Sequence, residues 1–200
     1  MKLTDLNLDG TYSYADYLKW TFEERVELIK GKIFKMAAPS LMHQKLSGNI
    51  YGFFWTHLRG ALKGKGCQVF SAPFDVRLVK PPHLQKITDR NSHTVVQPDI
   101  AVVCDKNILD SRGCVGAPDL IVEIVSPGSV KKDLKDKKEV YEYAGVKEYW
   151  IAYPLEETVL VYLLDAQERY GPPHVYTTGD QIEVRLFPGL VIDMDDVFSE

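Results

Sequence analysis

Two acidic residues interrupt strand-like runs that are otherwise almost wholly apolar. Asp99 lies in Gln97-Pro98-Asp99-Ile100-Ala101-Val102-Val103, and Glu123 lies in LIVEIV, from Leu120 to Val125. Burying an unpaired carboxylate costs several kcal/mol, so each needs a cation, a Lys or Arg, or a set of backbone donors. If the two strands are neighbours, one shared divalent cation meets both needs, and oxygen-only ligation favours Mg2+ or Mn2+. Taken singly, each acid has a plainer reading: Asp99 as a strand-end turn cap, Glu123 as the partner of a helix lysine. Taken together with a lysine they match one task. Attack of water on a phosphodiester needs an activated water, positive charge against the phosphate oxygens, and a nearby base or cation.

That lysine is offered by the segment after the second acid. Asp133, Lys137 and Tyr141 stand at i, i+4 and i+8, on one face of a helix, so Lys137 can point back toward Glu123. The neighbouring Lys131, Lys132, Lys135 and Lys138 read as a solvated face, with phosphate contact as the alternative. Glu27 is either a further acid of a metal shell or an exposed hairpin residue. His43, opening a long helix, is a general base, a residue supporting a metal ligand, or a satisfied polar residue. Tyr141, Tyr143, Tyr149 and Trp150 read as packing aromatics rather than a base-stacking platform, and Ser126 as a turn cap. No G-x-S-x-G, P-loop, dinucleotide fingerprint or HExxH is present, which leaves serine-hydrolase, nucleotide-binding and zincin chemistry unsupported.

The elements that must position these residues follow from periodicity. Ser13 and Asp16 form a capping-box pattern ahead of a short helix bearing Tyr14, Tyr17, Leu18 and Trp20. Arg25 to Ile29 and Lys32 to Met36 predict a hairpin, with Gly31 supplying a positive φ. From about Ser40 to Lys63, Leu46, Ile50, Phe53, Phe54, Leu58 and Leu62 recur at helical spacing, and Gly64 and Gly66 mark the end. Strands are predicted at Cys67 to Ala72, Phe74 to Leu78, Val96 to Val103, Leu120 to Val125 and Glu148 to Tyr153. A polar loop holding Pro81, Pro82 and Asn91 separates the second from the third. Ser126-Pro127-Gly128-Ser129 breaks the chain before a charged helix from Val130 to Ala144, which Gly145 ends. After Pro154 only strands are read, at Thr158 to Leu164, His174 to Thr178 and Gln181 to Leu186, as an antiparallel extension of the same sheet.

At 200 residues, 45% hydrophobic and 26% charged, the chain has ordinary globular composition, and one domain is expected across 1–200. Within it, 1–39 forms an N-terminal helix and hairpin, 40–153 a core, and 154–200 a C-terminal β extension. Three cysteines, Cys67, Cys104 and Cys114, without CxxC spacing, argue against a disulfide framework and a thiolate zinc site, and buried reduced thiols are expected. No long apolar run and no leader-like start are readable, so a cytoplasmic, soluble protein with no membrane partner is expected. A net charge of −4 supplies no overall field to gather nucleic acid, so any such contact is local.

The sequence resembles the Uma-type family of restriction endonucleases, within the PD-(D/E)XK nuclease superfamily. The resemblance rests on VELIKGKIFKMAAPSLMHQ, VVQPDIAVV, APDLIVEIVSPGSVKKDLKDKKEVYEYAGVKEYWIAYP and LFPGLVIDMDDVF, in the family's order across nearly the whole chain. It implies a three-layer α/β/α restriction-endonuclease-like fold with a mixed central sheet, and a Mg2+- or Mn2+-dependent endonuclease acting on DNA. By this likeness Asp99 and Glu123 are metal ligands and catalytic. The D-x-x-x-K-x-x-x-Y pattern falls on Asp133, Lys137 and Tyr141, and the early Glu and His on Glu27 and His43. The chain departs from the superfamily two residues beyond Glu123, where Val125 replaces the usual lysine. The superfamily is known to relocate that lysine to a helix, which fits Lys137. A homodimer that cuts two strands is implied by the same analogy. The alternatives are a catalytically idle DNA-binding or protein-interaction module and, more remotely, a paired-carboxylate glycoside hydrolase.

Overall fold

The computed structural model describes residues 2–60, 66–80, 86–126 and 132–199, without the side chain of Asp133. Ser13 accepts its expected role: its backbone and hydroxyl both donate to Asp16 Oδ2, opening α1 (Tyr14–Tyr17). The predicted hairpin is β1 (Val26–Ile29) and β2 (Lys32–Lys35). Both turn residues, Lys30 and Gly31, have positive φ, as a type I′ connection requires. A Cβ on Gly31 would lie 2.6 Å from the Thr11 methyl, so glycine serves the close approach as well as the turn.

The amphipathic helix is α2 (Leu41–Arg59), capped by Ser40, whose hydroxyl oxygen accepts from the His43 amide. Its predicted end at Leu62 to Gly64 lies outside the described residues. There follow β3 (Gln68–Ser71), β4 (Asp75–Arg77), β5 (Val95–Val96), β6 (Ile100–Val103), β7 (Leu109–Asp110), β8 (Gly113–Val115) and β9 (Leu120–Ile124). The loop residues Pro81 and Pro82, and residues 127–131 between β9 and the next helix, also lie outside the description. From Lys132 the described chain forms a π turn over Lys132–Lys137 and continues as α3 (Lys138–Ala144), ended by Gly145 in the left-handed region. The chain closes with β10 (Glu148–Tyr153), β11 (Thr158–Leu163), β12 (His174–Thr177), β13 (Gln181–Glu183), β14 (Val191–Asp193) and α4 (Met194–Phe198).

Among the described residues two six-stranded sheets result, ordered β12-β11-β10-β9-β6-β3 and β2-β1-β5-β4-β8-β7. The first is mixed, with β9 and β10 parallel and the other pairs antiparallel. Strand alternation sends Leu120, Val122, Trp150 and Ala152 to one face, where Leu46, Ile50, Phe54 and Leu58 of α2 cover them. It sends Ile121, Tyr149 and Ile151 to the other, against Val140, Tyr141 and Ala144 of α3 and Val76 and Val96 of the second sheet. The expected α/β/α layering is present.

Three expectations need correction. The run from Val96 to Val103 is two strands in different sheets, because Pro98 has no N–H to give a ladder and the chain crosses between sheets at Gln97-Pro98-Asp99. The C-terminal strands do not all extend the central sheet. β11 and β12 do, but among the described residues β13 and β14 pair only with each other, and with α4 they bury Ile182, Val184, Phe187, Met194 and Val197 over α2. The cysteines are not all reduced, since Cys67 and Cys104 form a disulfide while Cys114 is free and buried. The cause is register: Gln68 pairs with Val103, so Cys67 and Cys104 face each other at the next step. No helix among the described residues is long and apolar enough to cross a membrane.

Candidate active site

β6 and β9 run antiparallel with Ile100 opposite Val122, and one further step along that register sets Asp99 across from Glu123. Asp99, just before β6, is turned by two partners. Its Oδ2 accepts the Ile124 amide at 2.7 Å, and its Oδ1 lies 2.9 Å from His43 Nε2 on the first turn of α2. With its proton on Nε2, His43 donates to Asp99 and fixes the carboxylate.

Glu123 projects to the α3 side of the sheet, where burial would be costly without partners. Its Oε1 accepts from Lys137 Nζ at 2.8 Å and from the Tyr141 hydroxyl at 2.6 Å. Lys137 is 2% exposed and also lies 2.8 Å from Glu27 Oε1. Burial, and then the charge of Glu123, raise the Tyr141 hydroxyl well above its ordinary pKa, so it remains a donor. Val125, where a strand lysine would stand, packs in the core on the same face. The positive charge beside Glu123 therefore comes from the helix.

Glu27 is the expectation most changed. It is fully buried rather than an exposed hairpin residue, accepting the Gln97 amide at 2.9 Å and ion-pairing through Oε2 with Lys132 Nζ at 2.9 Å. Burial alone would raise its pKa, but Lys137 and Lys132 hold its carboxyl below the usual glutamate range. Lys132 is thus no solvated lysine. The i→i+5 geometry of the π turn sets residues five apart nearly above one another, so Lys132 and Lys137 reach the same carboxylate. Periodicity of 3.6 hides that alignment.

A cleft of about 300 Å3 opens over these groups, lined among others by Arg25, His43, Asp99, Glu123, Lys132 and Lys137. Ser126 also lines it, while the Asp133 side chain and all of Lys131 lie outside the described residues. Arg25 was not singled out from sequence. It donates to Gln97 Oε1 at 2.7 Å and brings a third cation to the rim. Tyr141, Tyr149 and Trp150 are fully buried as expected, whereas Tyr143 is 62% exposed.

A family model described as "Uma2: Putative restriction endonuclease" matches residues 14–195. The chain belongs to the Uma2 family. It is also 26% identical over 133 residues to the uncharacterized protein slr1290 of Synechocystis sp., a match covering 66% of this chain and 62% of that protein. The chain therefore spans less than two thirds of that relative's length. Among solved structures it is similar to one described as a putative nuclease belonging to DUF820 from Anabaena variabilis. The TM-score is 0.72 at 19% identity, covering 94% of this chain and 98% of the other. That likeness is one of fold: this Uma2 chain shares its mixed α/β architecture with the DUF820 protein.

Among the described residues no group of three or more His, Cys, Asp or Glu gathers closely enough to cage a metal ion. Asp99 and Glu123 offer oxygen donors on one cleft. Mg2+ is commonly held by one or two carboxylates with waters completing its octahedron, so this donor set suits Mg2+ or Mn2+ rather than a zinc-like cage.

Proposed function

We propose that the chain is an endonuclease that hydrolyses DNA phosphodiester bonds with Mg2+ or Mn2+ held by Asp99 and Glu123. The observation that carries the reading is the placement of Lys137, a buried ammonium bonded to Glu123 in the cleft that Asp99 also lines. A bound divalent cation would supply Lewis acidity toward the phosphate and make a water more acidic. Lys137 sets positive charge beside the site, where it offsets negative charge growing on the phosphate oxygens. Tyr141 orients the Glu123 carboxylate, His43 orients Asp99, and Glu27 holds Lys137 and Lys132 in place. Lys132 and Arg25, at the rim, are suited to contacting the phosphate backbone.

Supercoiled plasmid with Mg2+ or Mn2+ tests this. Nicking is expected from the parent and at least about a hundredfold less from Glu123→Ala, and equal nicking by both overturns the assignment. A second reading, a catalytically idle module that binds DNA or a protein, draws on one observation: both carboxylates already have protein partners, and among the described residues no group of three or more His, Cys, Asp or Glu could hold a metal ion. Calorimetric titration with Mn2+ separates the two. The nuclease reading requires binding that Asp99→Asn weakens, and the idle reading requires none.

A further inference from the structure

Tyr51, Trp55 and Arg59 stand four residues apart on α2, forming a stripe distinct from the buried Leu46, Ile50, Phe54 and Leu58. Tyr51 lines the cleft that holds Asp99 and Glu123. Its ring stacks on Trp55 at 5.9 Å between centroids, and the Arg59 guanidinium sits 4.1 Å over the Trp55 ring. Trp55 remains 42% exposed, so its ring faces solvent along the stripe instead of entering the core. Beside it a groove of about 510 Å3 runs between α2 and the edge strand β3, with Gln68, Phe70, Arg59 and Lys106 among its walls. None of the described residues lining that groove is acidic, in a chain whose net charge is −4.

We propose that this stripe continues the catalytic cleft as a binding track for single-stranded nucleic acid, with Trp55 stacking an unpaired base and Arg59 and Lys106 meeting the backbone phosphates. The inference rests on the nuclease reading and specifies its substrate near the scissile bond. Aromatic rings give sequence-tolerant stacking to any base out of its duplex, whereas paired bases present only their edges in the grooves. A duplex has no use for Trp55. The Tyr51 and Arg59 contacts hold the indole in one orientation before the nucleic acid arrives, which reduces the ordering cost of binding. Arg59 and Lys106 in a groove without acidic described lining favour a phosphate backbone as the occupant, and the Tyr51–Trp55 stack links that groove to the cleft.

The test is fluorescence anisotropy of the full chain with a labelled oligothymidylate and with a duplex of equal length, in chelator so that nothing is cleaved. Trp55→Ala is expected to weaken single-strand binding about tenfold or more, with Trp55→Phe keeping most of it. Arg59→Ala should weaken it and lower the salt dependence by about one phosphate contact. Duplex binding should not change with Trp55→Ala. The track is overturned if Trp55→Ala binds the single strand as the parent does, if it loses single strand and duplex equally, or if sedimentation shows that Trp55→Ala mainly dissociates a dimer. A parent that nicks plasmid while Trp55→Ala binds normally overturns the track alone. A parent that neither nicks nor binds overturns the nuclease reading together with it.

Discussion

At the scale of single residues, the site is a buried exchange of charge, Glu27 and Glu123 against Lys137 and Lys132, with Asp99 held apart by His43 and the Ile124 amide. Removing one member of a buried pair leaves its partner uncompensated, so Glu27→Gln should cost about 3–5 kcal/mol in urea unfolding at neutral pH. The sign with pH follows from the depressed Glu27 pKa. Its contribution is present above the ordinary glutamate pKa and is lost as the pH falls through the lower folded value. Parent and Glu27→Gln should therefore converge in stability on acidification, and a gap that widens in acid would contradict the network. Asp99 and Glu123 were legible in the sequence because acids in apolar strands must be satisfied. Glu27 stood among the candidates, but its burial was not legible, because it is decided by a layer contributed from Gln97, Lys132 and Lys137, far along the chain.

At the scale of elements, long-range register and local helix geometry decide what periodicity cannot. The hairpin, α2 and β9 were readable from alternation and three-to-four spacing, since each carries its own apolar pattern. The π turn was not, and with it the alignment of Lys132 over Lys137 stayed hidden. The disulfide was equally invisible, because only the β3–β6 register brings Cys67 and Cys104 together across a separation of 37 residues. A cross-link closing a loop of that length contributes about 2–4 kcal/mol. Thiol titration of the unfolded, unreduced chain should find Cys114 alone, and Cys104→Ser should lower stability by that amount. Three titratable thiols would contradict the pairing. Gly113, with φ of 138° and Asp75 O only 2.1 Å from where a Cβ would sit, shows how tightly β4 and β8 approach in the second sheet.

At the scale of the whole molecule, the α/β/α layering sets a strand end, the first turn of α2 and the π turn around one cleft. The same architecture is shared at 19% identity with the DUF820 protein, so the fold tolerates wide sequence change while the layers keep their places. In this arrangement the strand residue Val125 is committed to the core, and the helix carries the cation. The most direct measurement is the single-turnover cleavage rate of Lys137→Ala against the parent, under saturating Mg2+, with Mn2+ affinity and thermal unfolding followed in parallel. The account predicts a rate lower by about a hundredfold or more in protein that still folds and binds the ion. Cleavage at the parental rate would contradict it.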